Sequence, residues 1–461
     1  MDYEGDLITK NLKEYYMRGN RMTVCILGGG LTGLTLGYLL NQKGLNFDIL
    51  EKEIECGGLM RSLHEQGFTF DYGGSHIIFS KDQEGLNLMK NLLGDNRVKN
   101  RRNTKVLYKA HYIKYPFENG LSDLPEGDNF ECLYSFIQNL VRKERGELTR
   151  PQNLREWFYY TFGEGITEKY LLPYNEKIWK FPTERQSLEW VERIPNPPIQ
   201  DIIKASLGIE TEGYTHQVNF DYPEIGGIQA LIKSLEEEIK NHIVTDFEVK
   251  KIRREGRRWI VSSGQEERSY DRIISTIPIH TLVDALDTPE DIRKATKDLR
   301  YNSLVTIMIG LDRHKINDLT WLYIPDEEVL THRVSFPSNY SPYVAPPGKS
   351  SVLAEITCNF GDRLWRMDDK SLVERVIDDL DKLQIISKEE VCFRAVRRLK
   401  YAYVISDKEY QENISQVKGY MQETGIDLLG RFSEFQYLNM DGCIRSVLNY
   451  LAKNPTYDQT E

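Results

Sequence analysis

The chain has 461 residues, 40% of them apolar and 28% charged, with a formal net charge of -10. That length calls for two or three soluble globular domains, and the acidic balance disfavours nucleic acid or an anionic membrane as a partner. An anionic ligand would have to be gripped by a local cluster of Arg, Tyr and backbone N–H groups.

Residues 1–21 are polar and read as an N-terminal extension. Thr23 to Leu27 is a short apolar run. Gly28-Gly29-Gly30-Leu31-Thr32-Gly33 follows it, then an amphipathic stretch ending near Lys43, then a second apolar run with Glu51 at its tip. This order predicts strand, glycine turn, helix and a strand ending in an acid. In such a unit Gly28 allows the tight turn, Gly30 lets the backbone approach a pyrophosphate, and Gly33 lets the helix lie close to the strand. The pyrophosphate rests on the helix N-terminus, and Glu51 is placed to accept hydrogen bonds from a ribose. The unit reads as dinucleotide-binding. The uncharged run 24–40 follows Lys10, Lys13, Arg18 and Arg21, as in a secretion signal, but its five glycines and the return to strand patterning argue against one. No other uncharged stretch is long enough to span a bilayer.

From about 120 to 215 the pattern is helical and aromatic, broken by Pro151, Pro173, Pro182 and the cluster from Pro195 to Pro198. Asn153 to Tyr174 and Ile228 to Ile239 carry apolar residues at helical spacing. Strand patterns follow at Thr245 to Ile252, Arg258 to Ser262, Arg272 to Ile277, Val305 to Leu311 and Val352 to Thr357. A last helix is predicted from Met440 to Leu451. The fold class is α/β. A Rossmann-like cofactor domain is assembled from 22–110, 215–300 and 390–461, with an inserted, mostly helical domain at 111–214 and an antiparallel β-sheet substrate domain at 301–389. Six cysteines without regular spacing indicate neither a zinc site nor a disulfide framework, and read as reduced thiols of a cytoplasmic protein. Eight scattered histidines predict no metal. The 27 tyrosines suit sugars and phosphates, offering stacking area with a neutral hydroxyl donor.

Gly57-Gly58 and Gly67-Phe-Thr-Phe-Asp71-Tyr-Gly73-Gly74-Ser75-His76 continue the first unit, and Phe247-Glu-Val249 and Ser275-Thr-Ile-Pro278 come later. Together they resemble the FAD segments of the flavin amine oxidase superfamily, which makes FAD the expected dinucleotide. Within it the chain resembles the UDP-galactopyranose mutase family. The likeness rests on Gly73 to Ser80, Tyr115-Pro-Phe-Glu-Asn119, Pro173-Tyr-Asn-Glu-Lys-Ile-Trp179 and Tyr222 to Gly227. It continues through Trp321-Leu-Tyr323, Arg333 with Ser338-Asn-Tyr-Ser-Pro342, Tyr401-Ala-Tyr403 and Gly430 to Asp441.

That resemblance implies a mutase interconverting pyranose and furanose forms of a nucleotide-sugar, in which N5 of the reduced flavin takes the sugar as an adduct while the diphosphate leaves. FAD would act as its reduced anion, with NAD(P)H as a candidate reductant; the partners would be a nucleotide-sugar and, in a homo-oligomer, other copies of the chain. It also implies site residues. Arg333 would clamp the diphosphate, with hydroxyls from Tyr323, Tyr403 and Tyr437, and His76 would lie beside the flavin as a fifth catalytic residue. The cofactor set would be Gly28, Gly30, Leu31, Thr32, Gly33, Glu51, Lys52, Gly58, Leu59, Ser62, Gly74, Ser75, His76, Val249, Arg431, Asn439 and Met440. Tyr115, Phe117, Tyr174, Asn175, Trp179, Asn339 and Asn439 would join Arg333 and the three tyrosines on the substrate.

Two positions depart from the family's pattern. Leu172 stands where an arginine normally contacts the diphosphate, a loss worth roughly 1.5 to 3 kcal/mol, or about tenfold to a hundredfold in affinity. Lys177 or Arg185 is a candidate substitute. Glu118 stands where an amide is expected near the nucleobase, which would alter base recognition. The alternative is an FAD-dependent oxidoreductase of the amine oxidase and protoporphyrinogen oxidase type. A third reading is a flavin-binding sensor.

Overall fold

The computed structural model describes residues 22–194, 196–211 and 218–455; the expected N-terminal extension lies outside them. The chain divides into two compact units. The first takes the described parts of Met1–Gly58, Ile232–Asp298 and Glu412–Glu461, the second those of Leu59–Leu231 and Leu299–Gln411.

The first unit is built on a parallel sheet in the order Ile426–Leu428, Arg272–Ser275, Thr23–Leu27, Asn46–Leu50, Ile243–Val244. Its central strand, Thr23–Leu27, is buried from Val24 onward, as a strand covered on both faces requires. Helix Leu31–Gln42 crosses over to the next strand and packs on the last helix, Met440–Lys453. An antiparallel sheet of Lys251–Glu255, Arg258–Ser262 and Glu267–Tyr270 adds to this unit.

The strand expected from Thr245 to Ile252 is corrected: only Ile243–Val244 and Lys251–Glu255 are strands. Asp246 turns the backbone left-handed, at φ 57, which no strand continues through. The segment instead wraps the tip of the second strand, with Asp246 N donating to Glu53 O and Phe247 N to Glu51 O.

The second unit centres on a seven-stranded sheet. Its order is Val391–Ile405, Arg300–Leu311, Ser350–Cys358, Arg333–Ser335, Trp321–Tyr323, Thr104–Tyr108, His111–Lys114. All pairings are antiparallel except that of Trp321–Tyr323 with Thr104–Tyr108. Side chains alternate between its faces. One face carries Val305, Ile307, Val334 and Ala354 and is covered by Leu372, Val376 and Leu380 of helix Asp369–Lys382. On the other, register places Tyr323, Arg333, Glu355, Thr306 and Arg397 in one transverse row.

Helices Glu126–Glu144, Leu154–Ile166 and Leu172–Trp179 form the aromatic helical part, around Phe117, Phe136, Phe158 and Phe162. The single helical stretch expected from Asn153 to Tyr174 is kinked at Gly163, whose φ of 74 is not helical, and then passes through a π-helical turn at Thr167–Leu171. Pro173 then sits in the first turn of the next helix, where its missing N–H costs nothing.

Candidate active site

The first unit holds the dinucleotide cradle. Gly28 has φ +99, and a side chain there would meet Thr276 Oγ1 at 2.8 Å; one at Gly33 would lie 2.0 Å from Gly28 O, so the helix does approach the strand closely. Gly30 differs, because an added Cβ meets nothing within 4 Å. That open space lies at the start of a twelve-residue helix which no side chain caps, an arrangement suited to a pyrophosphate. Leu31 and Thr32 form its buried first turn.

Glu51 is buried, its Oε2 accepting from Gly29 N at 2.7 Å and its Oε1 from Glu53 N at 3.0 Å. These bonds fix the carboxylate and leave lone pairs for a ribose. Lys52 is exposed, Gly58 has φ +54 and Val249 is buried. Arg431 donates through Nη1 to Leu438 O at 3.1 Å and lies 4.4 Å from the Tyr437 ring centroid. Asn439 is exposed ahead of helix Met440–Lys453, which its side chain does not cap, and Met440 is that helix's first residue. These residues, Tyr437 included, belong to the first unit.

Two contributors to the cradle carry no signal in the glycine motif. Thr276 donates its hydroxyl to Leu27 O at 2.8 Å and Gly28 O at 3.1 Å, pinning the turn. Gly430 has φ +82 and lies so close to Thr32 that a Cβ would stand 2.4 Å from its hydroxyl.

Arg333 organises the second unit's site. It pairs through Nε and Nη2 with Glu355 at 2.8 and 2.6 Å, a fork geometry that fixes the guanidinium plane. Among the described residues Nη1 makes no hydrogen bond, and it is the edge left for a ligand's oxygen. The neighbouring carboxylate holds the guanidinium pKa well above its ordinary value against the effect of burial. Glu355 also meets the loop after Asp71: Ser75 N donates to its Oε1 at 3.4 Å, and a Cβ at Gly74 would lie 2.9 Å from its Oε2. His76 Nδ1 bonds Gly74 O at 2.8 Å, and Ser75 Oγ bonds the Tyr340 hydroxyl at 2.9 Å.

That loop's base is fixed by Asp71. Ser62 Oγ, Tyr222 OH and Ile228 N all donate to its carboxylate at 2.7 to 2.9 Å. Burial pushes the carboxyl up to about 6 against those three donors. Gly73 approaches Leu59 so closely that a Cβ would stand 1.9 Å from its carbonyl oxygen.

Aromatic rings run in contact from Arg333's neighbour Tyr323. Its ring lies 5.1 Å from Tyr115 and 5.2 Å from Tyr174; Tyr174 stacks on Tyr170, and Tyr170 on Phe117. Tyr403 meets Trp179 at 5.9 Å. Burial raises the phenol pKa of Tyr115 and Tyr174, so both stay neutral donors. Phe117, Asn175 and Trp179 are buried, with Asn175 Oδ1 accepting from Trp179 Nε1 and its amide donating to Leu171 O. Asn339 Nδ2 is spent on Leu319 O at 2.6 Å and Asn317 O at 3.0 Å, closing its loop.

Neither substitute named for the missing arginine serves as one. Lys177 donates to three backbone carbonyls, of Ile324, Asp326 and Thr331, at 2.7 to 2.9 Å. Those acceptors match an ammonium's three protons, while burial pulls its pKa down to about 7. Arg185 is exposed, 5.2 Å from the Phe181 ring centroid. The cation that does meet the aromatic cluster is Arg102, over Tyr115 at 4.5 Å and Trp321 at 4.8 Å. No motif marked it. Glu118 is buried near Tyr115 and Tyr170, and desolvation pushes its carboxyl up to about 8.

A family model described as flavin containing amine oxidoreductase matches residues 31–397. The chain belongs to this family. Its flavin is FAD, and the cradle fits that cofactor: Gly30 leaves the pyrophosphate its space, and Glu51 is set for the ribose. A crystal structure of reduced UDP-galactopyranose mutase shares 25% identity and a TM-score of 0.84, covering 95% of this chain and 97% of that one. Coproporphyrinogen III oxidase of Staphylococcus aureus is 21% identical over 92% of this chain and 96% of its own. Protoporphyrinogen oxidase 2 of Arabidopsis thaliana is 22% identical over 166 residues; the chain spans 31% of that relative's length. The fold is thus that of the amine oxidoreductase family in its UDP-galactopyranose mutase-like form. No helix among the described residues is long and apolar enough to cross a membrane.

Proposed function

We propose that the protein is a flavin-dependent mutase interconverting the pyranose and furanose forms of a nucleotide-sugar. The observation that carries this reading is Arg333, oriented by Glu355 and flanked across the strand by Tyr323. The likeness to reduced UDP-galactopyranose mutase over nearly the whole chain supports it. Reduced FAD, when bound, supplies a nucleophilic centre for such a reaction without net oxidation of the sugar.

The chain's own residues would do the remaining work. Arg333 Nη1 and the hydroxyls of Tyr323 and Tyr403 would hold the diphosphate as charge builds on the departing oxygen. The neutral phenols of Tyr115 and Tyr174 donate without repelling it, and their rings exclude water. Arg102 would add the positive charge that Leu172 does not.

A second reading, net oxidation of substrate by flavin, is favoured by the oxidase names of the curated relatives. One experiment separates the two. The dithionite-reduced protein is incubated anaerobically with a panel of nucleotide-sugars led by UDP-galactopyranose, and products are resolved by chromatography. Ring-contracted product without stoichiometric loss of reductant supports the mutase. Absence of product across the panel, with oxidised flavin bleaching on addition of a porphyrinogen, establishes the oxidoreductase instead.

A further inference from the structure

Helices Glu126–Glu144, Leu154–Ile166 and Ile199–Ser206 border a cleft of about 570 Å³ in the second unit. None of the residues assigned above to cofactor or substrate lines it. Its size falls within the roughly 300–1,000 Å³ of small-molecule sites. Phe136 and Leu140 come from the first helix, Trp157 and Tyr160 from the second, and Ile199 and Ile202 from the third. Asn139 holds the first two helices in register, its amide donating to Tyr160 O at 2.8 Å. Ile199 is 51% exposed, so part of this apolar lining is open to water.

Two cations, Lys143 and Arg150, also line the cleft, and no carboxylate does, in a chain whose 70 acids outnumber its 60 bases. Their neighbours Arg142 and Arg145 both meet Glu147. Among the described residues the side chains of Lys143 and Arg150 make no ion pair and no hydrogen bond. Lys143 Nζ lies instead 4.1 Å from the Tyr160 ring centroid. Burial pulls its pKa below the ordinary value, with no acid to offset the effect. A half-buried ammonium without a counter-charge is costly, and an anion entering the cleft would remove that cost.

The lining sets two requirements on whatever fills it. A simple anion would leave Trp157, Leu140 and Ile202 facing water, and an uncharged apolar molecule would leave Lys143 unpaired. Both are met by one molecule with an apolar body and an acidic end, because apolar contact gives affinity while a few placed polar groups fix orientation. We propose that this cleft binds a small amphipathic anion, its apolar body against Trp157, Leu140 and Ile202 and its carboxylate, sulfonate or phosphate headgroup held by Lys143 and Arg150.

The test titrates the full-length, FAD-loaded protein with anilinonaphthalene sulfonate, an aromatic body with one anionic group, and follows energy transfer from tryptophan. One site is expected, with Kd between about 1 and 100 µM, and saturating UDP should leave it unchanged. Lys143→Met keeps a stem over Tyr160 and removes the charge. It is expected to weaken binding about tenfold, and the double variant with Arg150→Met about a hundredfold, with thermal melting and flavin content unaltered. Competition then identifies the body: displacement by decanoate assigns an acyl chain, and displacement by naphthoate an aromatic one. Absence of a single site overturns the proposal, as does a double variant that binds as tightly as the wild type. Release of the probe by UDP would assign the cleft to the nucleotide instead. Displacement by decanol as effective as by decanoate would show that the cations read no headgroup, and failure of both acids to compete would place the probe elsewhere; either result also overturns it.

Discussion

Arg333 and Glu355 face each other across adjacent antiparallel strands and share two hydrogen bonds, of 2.8 and 2.6 Å. The carboxylate, on the wholly buried strand, has a fixed position, and it dictates where the guanidinium can point. Arg333→Ala should therefore raise the dissociation constant for UDP by about tenfold to a hundredfold in calorimetric titration. The visible flavin spectrum should stay unchanged. Loss of flavin in this variant would assign Arg333 to the cofactor instead.

Gly30→Val separates cofactor binding from folding. A side chain at Gly30 meets nothing in the protein, whereas one at Gly33 collides with Gly28 O. Gly30→Val should fold normally by circular dichroism yet lose FAD on purification; Gly33→Val should fail to accumulate as soluble protein. Normal flavin content in Gly30→Val would refute the cradle.

Glu118 should make stability fall with rising pH. Its carboxyl titrates at about 8 when folded and near 4.5 in an exposed reference, so the folded protein keeps a proton that the unfolded chain releases. The associated stability is complete below about 4.5 and is lost as pH rises to about 8. Glu118→Gln should flatten this dependence, gaining on the order of a few kcal/mol on the wild type between pH 5 and 9. Urea denaturation across that range checks it, and parallel curves would show that Glu118 is not held neutral.

Arg102 lies over Tyr115 and Trp321 and is the cation nearest the role that Leu172 leaves open. Arg102→Ala should weaken UDP binding about tenfold with unchanged flavin content. The same titration on Arg185→Ala should show no change, and an effect of Arg185 equal to that of Arg102 would reject the assignment.

Lys177→Met removes the shared donor of three buried carbonyls. Unfolding free energy should drop by about 3 kcal/mol or more, from lost charge-assisted bonds and acceptors left unpaired. Chemical denaturation of the ligand-free protein measures this directly.

Local features were legible in the sequence. Thr23 to Leu27, the glycine turn and Glu51 lie within thirty residues, and their spacing alone shows how they work together. The apolar strands Val305 to Leu311 and Val352 to Thr357 likewise declare themselves. Glu355 was visible as a lone acid inside such a run, but its meaning depends on an arginine 22 positions away. Thr276 reaches Gly28 across 248 positions and Lys177 reaches Thr331 across 154, distances over which periodicity carries no information. The false strand at Thr245 to Ile252 had the right alternation; a single left-handed residue, Asp246, overrode it.

The three carbonyls that Lys177 binds belong to the segment between Tyr323 and Arg333, at Ile324, Asp326 and Thr331. The backbone between the two residues is thus tied down by Lys177, so part of the conformational entropy of arranging them should have been lost during folding. Ligand capture by this pair should then be fast and nearly free of a slow closing phase, so the tempo of turnover would be set elsewhere in the molecule.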